Sequence, residues 1–420
     1  MRFGGFIMLK GNLIFGQSGG PTSVINCSAA GVFIEALENG DRIEKVYGAH
    51  HGILGVLNED FFDMGQENKD ELLLLKQTPA SILGSCRYKL ADPEEDDTDY
   101  QRILEVFQKY NIRFFFYNGG NDSMDTCNKI SKFLQERDYE CRVVGVPKTI
   151  DNDLFGTDFC PGFPSAARYI ATTVMEVYCD SVVYPTGQIT LIEIMGRNAG
   201  WLTAASVIAA KKGYGPDLIY LPEVKFDLEK FTADVKRIFE EKGKVLVCFS
   251  EGVQTTDGKY IPELAGEVKI DAFGHKQMGG AAAVLKEYIE NQINTKVRAV
   301  ELSLMQRCGA HLASEVDVER TFEAGREAVR AALNGETDVM IGFERVSNDP
   351  LEIKLTHFPL AKVANTEQKV PREWINEEGN FVKDEFIDYC LPLIQGEPLR
   401  IKEDSLPRFA QLKFVQAGKK

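Results

Sequence analysis

The chain has 420 residues, 44% hydrophobic and 26% charged, enough for a large buried core and two or three domains. A formal charge of −15 excludes binding to nucleic acid or anionic membrane by the surface as a whole, yet allows an anion held in a cleft by local cations and backbone amides. Nine scattered cysteines, with no CxxC pair or Cys/His cluster, speak against zinc and for free thiols. With no leader-like h-region and no apolar run of membrane-spanning length, the expectation is a cytoplasmic protein.

Residues 12–15 read as a strand, followed by the turn Gln17-Ser18-Gly19-Gly20-Pro21-Thr22-Ser23 and a helix over 24–38. Such glycines let amides approach an anion at a helix N-terminus; the plainer alternative is a tight turn capped by Thr22 or Ser23. Neither a Walker ending nor GxGxxG is present. Strand 113–117 runs into Gly119-Gly120-Asn121-Asp122-Ser123 and a helix over 124–135, where Asp122 can face a phosphate or metal, cap the helix, or both. Strand 142–146 runs into Pro147-Lys148-Thr149-Ile150-Asp151-Asn152-Asp153. That turn carries a cation, a hydroxyl and two carboxylates. One carboxylate can serve as general base while the other orients a metal or cation, and the structural alternative is an Asx-turn.

Strand 188–194 leads to Met195-Gly196-Arg197 and a small-residue helix over 201–210. An arginine on a glycine turn can fork onto a phosphate. Further strands are expected at 218–221, 244–249 and 297–302; Ser250-Glu251-Gly252 follows the second, and Gln306-Arg307 follows the third, which holds Arg298. Strand, glycine turn and helix in repetition predict an α/β fold with a mostly parallel sheet, helices on both faces and ligands beyond the carboxyl ends of the strands. Residues 92–99 form a solvated acidic loop. From 348 the alternation weakens, and the tail, helical near 384–393, reads as a surface appendage or oligomer contact without an assignable catalytic residue.

Taken in order, these turns, with GGxxS, PKTIDND and MGRxAGW among them, resemble the phosphofructokinase family over about residues 11–342. The resemblance implies two similar, doubly wound domains with the active site in the cleft between them. The donor domain would span 1–147 with roughly 253–310 returning, and the fructose 6-phosphate domain 148–252 with roughly 311–347; 348–420 would be a C-terminal extension packed on the core. It implies reversible phosphoryl transfer to the 1-hydroxyl of fructose 6-phosphate in glycolysis or gluconeogenesis, with Mg2+ as cofactor, by a homo-oligomer, dimer or tetramer.

Site roles follow from the same resemblance. Gly19, Gly20, Arg87, Gly120, Asn121 and Ser123 fall on donor-binding positions, and Asp151 on the base that takes the proton of the 1-hydroxyl. Thr149 and Asp153 flank the base, the threonine contacting the sugar. Met195, Gly196 and Arg197 fall on the turn that binds the sugar phosphate and the transferred phosphoryl group, and Glu251 on the sugar-binding glutamate. Arg298 and Arg307 fall on arginines for the 6-phosphate, Arg298 as a candidate from a partner subunit. The metal falls to Asn121, Asp122 and Asp153. Three positions depart from the family pattern: Asn121 for the usual Asp, Leu304 for His or Tyr, and Gln188 for an interface arginine.

Asp122 and Lys148 match the pyrophosphate-using members. A carboxylate at 122 fills and repels the space of a nucleotide α-phosphate, and a lysine at 148 supplies charge to the leaving phosphate. An ATP-dependent relative is the first alternative and is opposed by this pair. A silent regulatory subunit is opposed by the presence of Asp151, and a dinucleotide-binding module by the missing GxGxxG.

Overall fold

The structure, a computed structural model, describes residues 9–266, 280–364 and 366–418. The first eight residues of the N-terminal stretch considered for a leader lie outside the described residues.

Eleven strands build two sheets: β1 Gly11–Gln17, β2 Ile43–Ala49, β3 Phe61–Asp63, β4 Ile112–Gly119, β5 Arg142–Pro147, β6 Gln188–Ile194, β7 Leu218–Tyr220, β8 Lys244–Ser250, β9 Lys296–Glu301, β10 Val339–Asn348 and β11 Leu351–Pro359. The larger sheet runs β11-β10-β5-β4-β1-β2-β3 and the smaller β7-β8-β6-β9. The smaller sheet is wholly parallel, and in the larger one only the edge strands β3 and β11 pair antiparallel. β1, β6 and most of β4 are buried end to end, as strands covered by helices on both faces are.

Two local expectations change. The helix after β4 spans Asn121–Gln135, so Asn121, Asp122 and Ser123 form its first turn, with Gly120 as cap. The helix expected over 201–210 is two short ones, Trp201–Ala204 and Val207–Lys211. Between them the Ser206 hydroxyl donates to the Thr203 carbonyl at 2.6 Å, a local bond that competes with regular helix.

The returning segments are exchanged relative to the sequence reading. β9, within 253–310, joins the sheet of 188–250, whereas β10, within 311–347, joins the sheet of 11–147. Nor is the tail beyond 348 a mere appendage. β11 forms a hairpin with β10 and is an edge strand of the larger sheet. At the opposite edge, Asp63 N–H donates to Val415 O at 2.8 Å and Ala417 N–H to Phe61 O at 2.9 Å, so one tail pairs at both ends of the sheet. Between them Trp374 meets Trp201 edge-on at 6.0 Å, and Phe386 lies against both indoles and Tyr389.

Phe386 is fully buried in this cluster. Phe386→Ala is therefore expected to lower stability by about 3–5 kcal/mol, the usual cost of emptying an aromatic core site. Urea denaturation checks it; a loss below about 1 kcal/mol would return the tail to the status of an ornament.

Candidate active site

The carboxyl ends of β1, β4, β5, β6 and β8 carry five of the six turns singled out in the sequence, and Gln306-Arg307 follows β9; ligands bind at such ends in sheets of this kind. Gly19 adopts φ +75°, a conformation that favours glycine. Its carbonyl accepts from Ser85 Oγ at 2.6 Å, and its N–H donates to Cys86 O at 3.2 Å. Those contacts seat Arg87 beside the glycine turn.

Lys148 crosses to the same turn and donates from Nζ to Gly20 O at 2.6 Å. Its own N–H is tied to Gly119 O at 2.9 Å. Only 3% of Lys148 is exposed, and burial lowers its ammonium to about 8. Asp151 and Asp153 resist that shift, while Arg307 and Arg87 add to it.

The loop after β5 is held by its non-acidic members. Thr149 Oγ1 accepts from Asp151 N–H at 3.1 Å, so the turn is made by the threonine hydroxyl and not by an aspartate. Asn152, at φ +56°, donates to Tyr389 Oη at 2.8 Å and accepts from Cys160 N–H at 2.8 Å. The carboxylates of Asp151 and Asp153 take no part in these contacts. Burial raises the proton affinity of Asp151 against the pull of Lys148 and Arg197. Asp153 is pushed up to about 7 by burial, then by the charges of Asp151 and Glu367.

Asn121 donates from Nδ2 to Asp153 Oδ2 at 3.3 Å. Its Oδ1 is buried with no partner among the described residues. A free hard oxygen beside a carboxylate short of positive charge fits a divalent cation such as Mg2+, although no three acidic, His or Cys side chains converge into a full cage among the described residues. Asp122 is exposed in the same helical turn. Ser123 packs over Gly119, where a Cβ would sit 2.0 Å from its Oγ.

Across the cleft, Gly196 takes φ +137°, its N–H donates to Glu251 Oε1 at 3.4 Å and its carbonyl accepts from Ser250 Oγ. A side chain at Gly252 would lie 1.9 Å from Arg197 O, so this close approach requires glycine. Met195 N–H donates to Gln306 Oε1 at 3.2 Å, fixing the short helix Met305–Cys308 to the Arg197 turn. Arg197 is half-buried, and its Nε has no partner among the described residues. Burial, and then Asp151, lift Glu251 to about 7.

Two assigned arginines differ in their surroundings. Arg298 lies mid-strand on β9 opposite Thr190 and pairs with Asp180 at 2.7 Å, beside Gln188 and outside the cluster. Arg307 lies beside the Gly19–Gly20 turn: a Cβ built on Gly20 would be 3.2 Å from its Nη1.

The sequence reading missed Glu367. Gln368 N–H donates to Asp153 O at 2.8 Å and Leu154 bridges Glu367, which brings the Glu367 carboxylate to the loop, where it accepts from Asn198 Nδ2 at 2.8 Å. The tail thus reaches the site, contrary to expectation. Its segment carries no motif by which sequence alone could have placed it.

Residues 12–332 match the family model described as Phosphofructokinase. The chain is 41% identical to the pyrophosphate–fructose 6-phosphate 1-phosphotransferase of Halomonas elongata, over 96% of this chain and 97% of that protein. It is 42% identical to the one of Xanthomonas campestris, over 98% and 99%. The crystal structure of the pyrophosphate-dependent phosphofructokinase from Marinobacter aquaeolei superposes with a TM-score of 0.88 at 36% identity, covering 98% of each chain.

Proposed function

This chain belongs to the phosphofructokinase family, and from that premise we propose the following site for the reaction its relatives are named for. The enzyme transfers a phosphoryl group from pyrophosphate to the 1-hydroxyl of fructose 6-phosphate, giving fructose 1,6-bisphosphate and phosphate. The observation that carries the reading is the buried Lys148 ammonium on the Gly20 carbonyl, three residues before Asp151.

Asp151 accepts the proton of the 1-hydroxyl as its oxygen bonds to the near phosphorus and the bridging P–O bond breaks. Lys148 meets the charge gathering on the departing phosphate. Arg197 forks onto the transferred group, whose charge spreads over its equatorial oxygens. Glu251 and Thr149 hold the sugar. Asp153, Asn121 and Asp122 would hold Mg2+, which when bound neutralises pyrophosphate oxygens. Arg298, paired with Asp180 in its own protomer, serves the 6-phosphate of a partner in a homodimer or homotetramer. All nine cysteines are free thiols, in keeping with a cytoplasmic enzyme. No described helix is long and apolar enough to cross a membrane.

A coupled assay tests the central reading. Purified chain with Mg2+ and fructose 6-phosphate is expected to turn over on pyrophosphate without ATP. Turnover confined to ATP would overturn the donor assignment.

A further inference from the structure

We propose that Glu367 is a positioning residue for phosphoryl transfer: from a backbone strap laid across the cleft, it holds the Arg197 turn against the Asp151 loop through Asn198. The inference rests on the roles given above to Asp151 and Arg197 and adds a residue that acts through them.

Residues 367–370 join loops that follow strands of different sheets. The loop after β5 lies on one side, where Gln368 N–H donates to Asp153 O at 2.8 Å and Leu154 bridges Glu367. The turn after β6 lies on the other. Trp201 Nε1 donates to Gln368 O at 3.0 Å, so the N–H and the carbonyl of one residue reach both sides of the cleft. Glu223 adds a further tie, its Oε1 accepting from Gly200 N–H at 2.8 Å and from Val370 N–H at 3.0 Å. Trp201 and Val370 are buried, and hydrogen bonds are strengthened in such low-dielectric surroundings.

The strap thereby fixes Glu367, whose Oε1 accepts from Asn198 Nδ2 at 2.8 Å. Asn198 directly follows Arg197, in a turn that opens with Gly196 at φ +137°. Arg197 Nε has no partner among the described residues, so the place of the guanidinium depends on its backbone. The Arg197 carbonyl packs on Gly252, where a Cβ would lie 1.9 Å away, and Glu367 braces the next residue. An arginine that must meet the transferred phosphoryl group loses rate steeply when its turn drifts, about 10²-fold for a 1 Å misplacement. The Glu367 carboxylate also acts by charge on Asp151 and Asp153, so the bond must be separated from the charge.

Steady-state kinetics at saturating Mg2+ make that separation. Glu367→Ala and Asn198→Ala should each lower kcat by about ten-fold or more, with the KM for both substrates within about three-fold of wild type. The double variant should fall no further than either single one, the coupling expected of one bond. Glu367→Gln keeps an acceptor oxygen for Asn198 without the charge, and should retain most of kcat. Both side chains are exposed, so urea midpoints should stay at the wild-type value. A Glu367→Ala enzyme within about three-fold of wild-type kcat overturns the proposal, as do urea midpoints that fall in step with the rate. A Glu367→Gln enzyme as slow as Glu367→Ala overturns it too, by assigning the effect to the charge and not to the bond. A wild type without pyrophosphate turnover would instead sink the site reading itself, so the two failures are distinguishable.

Discussion

Asp151→Asn is expected to lower kcat by about 10²–10⁴-fold while the KM for fructose 6-phosphate changes little, the signature of a lost general base. The fold should tolerate the change. The turn is closed by the backbone N–H of Asp151 on Thr149 Oγ1, and by Asn152 through Tyr389 and Cys160, none of which needs the Asp151 carboxylate. The amide is isosteric but cannot take a proton. It relieves the charge that Asp151 imposes on Asp153 and Glu251 but withdraws support from the buried Lys148 ammonium, so the KM for pyrophosphate is measured alongside kcat. Steady-state kinetics with a circular dichroism control decide the matter. A variant retaining most of its kcat removes Asp151 from the base role and leaves its place among the charges of Lys148, Arg197 and Glu367 without a catalytic reason.

How much of this was legible in sequence depends on whether a feature was local. β1 and β4 centre on the apolar runs 13–15 and 114–117 and lead into glycine turns, and such runs announce both the strand and its buried parallel setting. The loop 147–153 declared itself by the density of its functional groups. Sheet membership is different, because nothing local in β9 or β10 says which sheet it joins; the assignment was exchanged for that reason. The tail was misread although its clues were present. Leu351, Ile353 and Leu355 alternate with polar residues after the turn at Asp349-Pro350, a hairpin signal obscured by exposed positions on both strands. Glu367 was invisible because its approach to Asp153 depends on backbone pairing with Leu154, which no side-chain pattern encodes.

Lys148 and Asp122 should jointly set the choice of donor, and wild type is expected to use Mg2+-pyrophosphate with little or no activity on ATP. Their places in the fold assign them different work. Lys148 is buried with its ammonium on Gly20 O, so its removal takes a charge from the donor turn and takes this donor from the Gly20 carbonyl. Lys148→Gly should therefore cut kcat/KM for pyrophosphate by about 10²-fold or more, with only a modest gain for ATP. Lys148→Met, which keeps the apolar stem, separates the missing charge from the cavity. Asp122 is exposed in the first turn of the helix Asn121–Gln135, and Thr126 Oγ1 bonds its backbone carbonyl and not its carboxylate. Asp122→Gly should accordingly cost little stability and act on selectivity, lifting the repulsion that a nucleotide's additional phosphate would meet. The double change should favour ATP more than either single one, because both residues border one donor site and need not act independently. The measurement is kcat/KM for both donors across wild type, the two single variants and the double variant at fixed free Mg2+. A wild type that prefers ATP defeats the donor assignment. A donor ratio unmoved by Asp122→Gly, in an enzyme that still runs on pyrophosphate, defeats only the exclusion mechanism, and selectivity would then rest on the cations around Gly20.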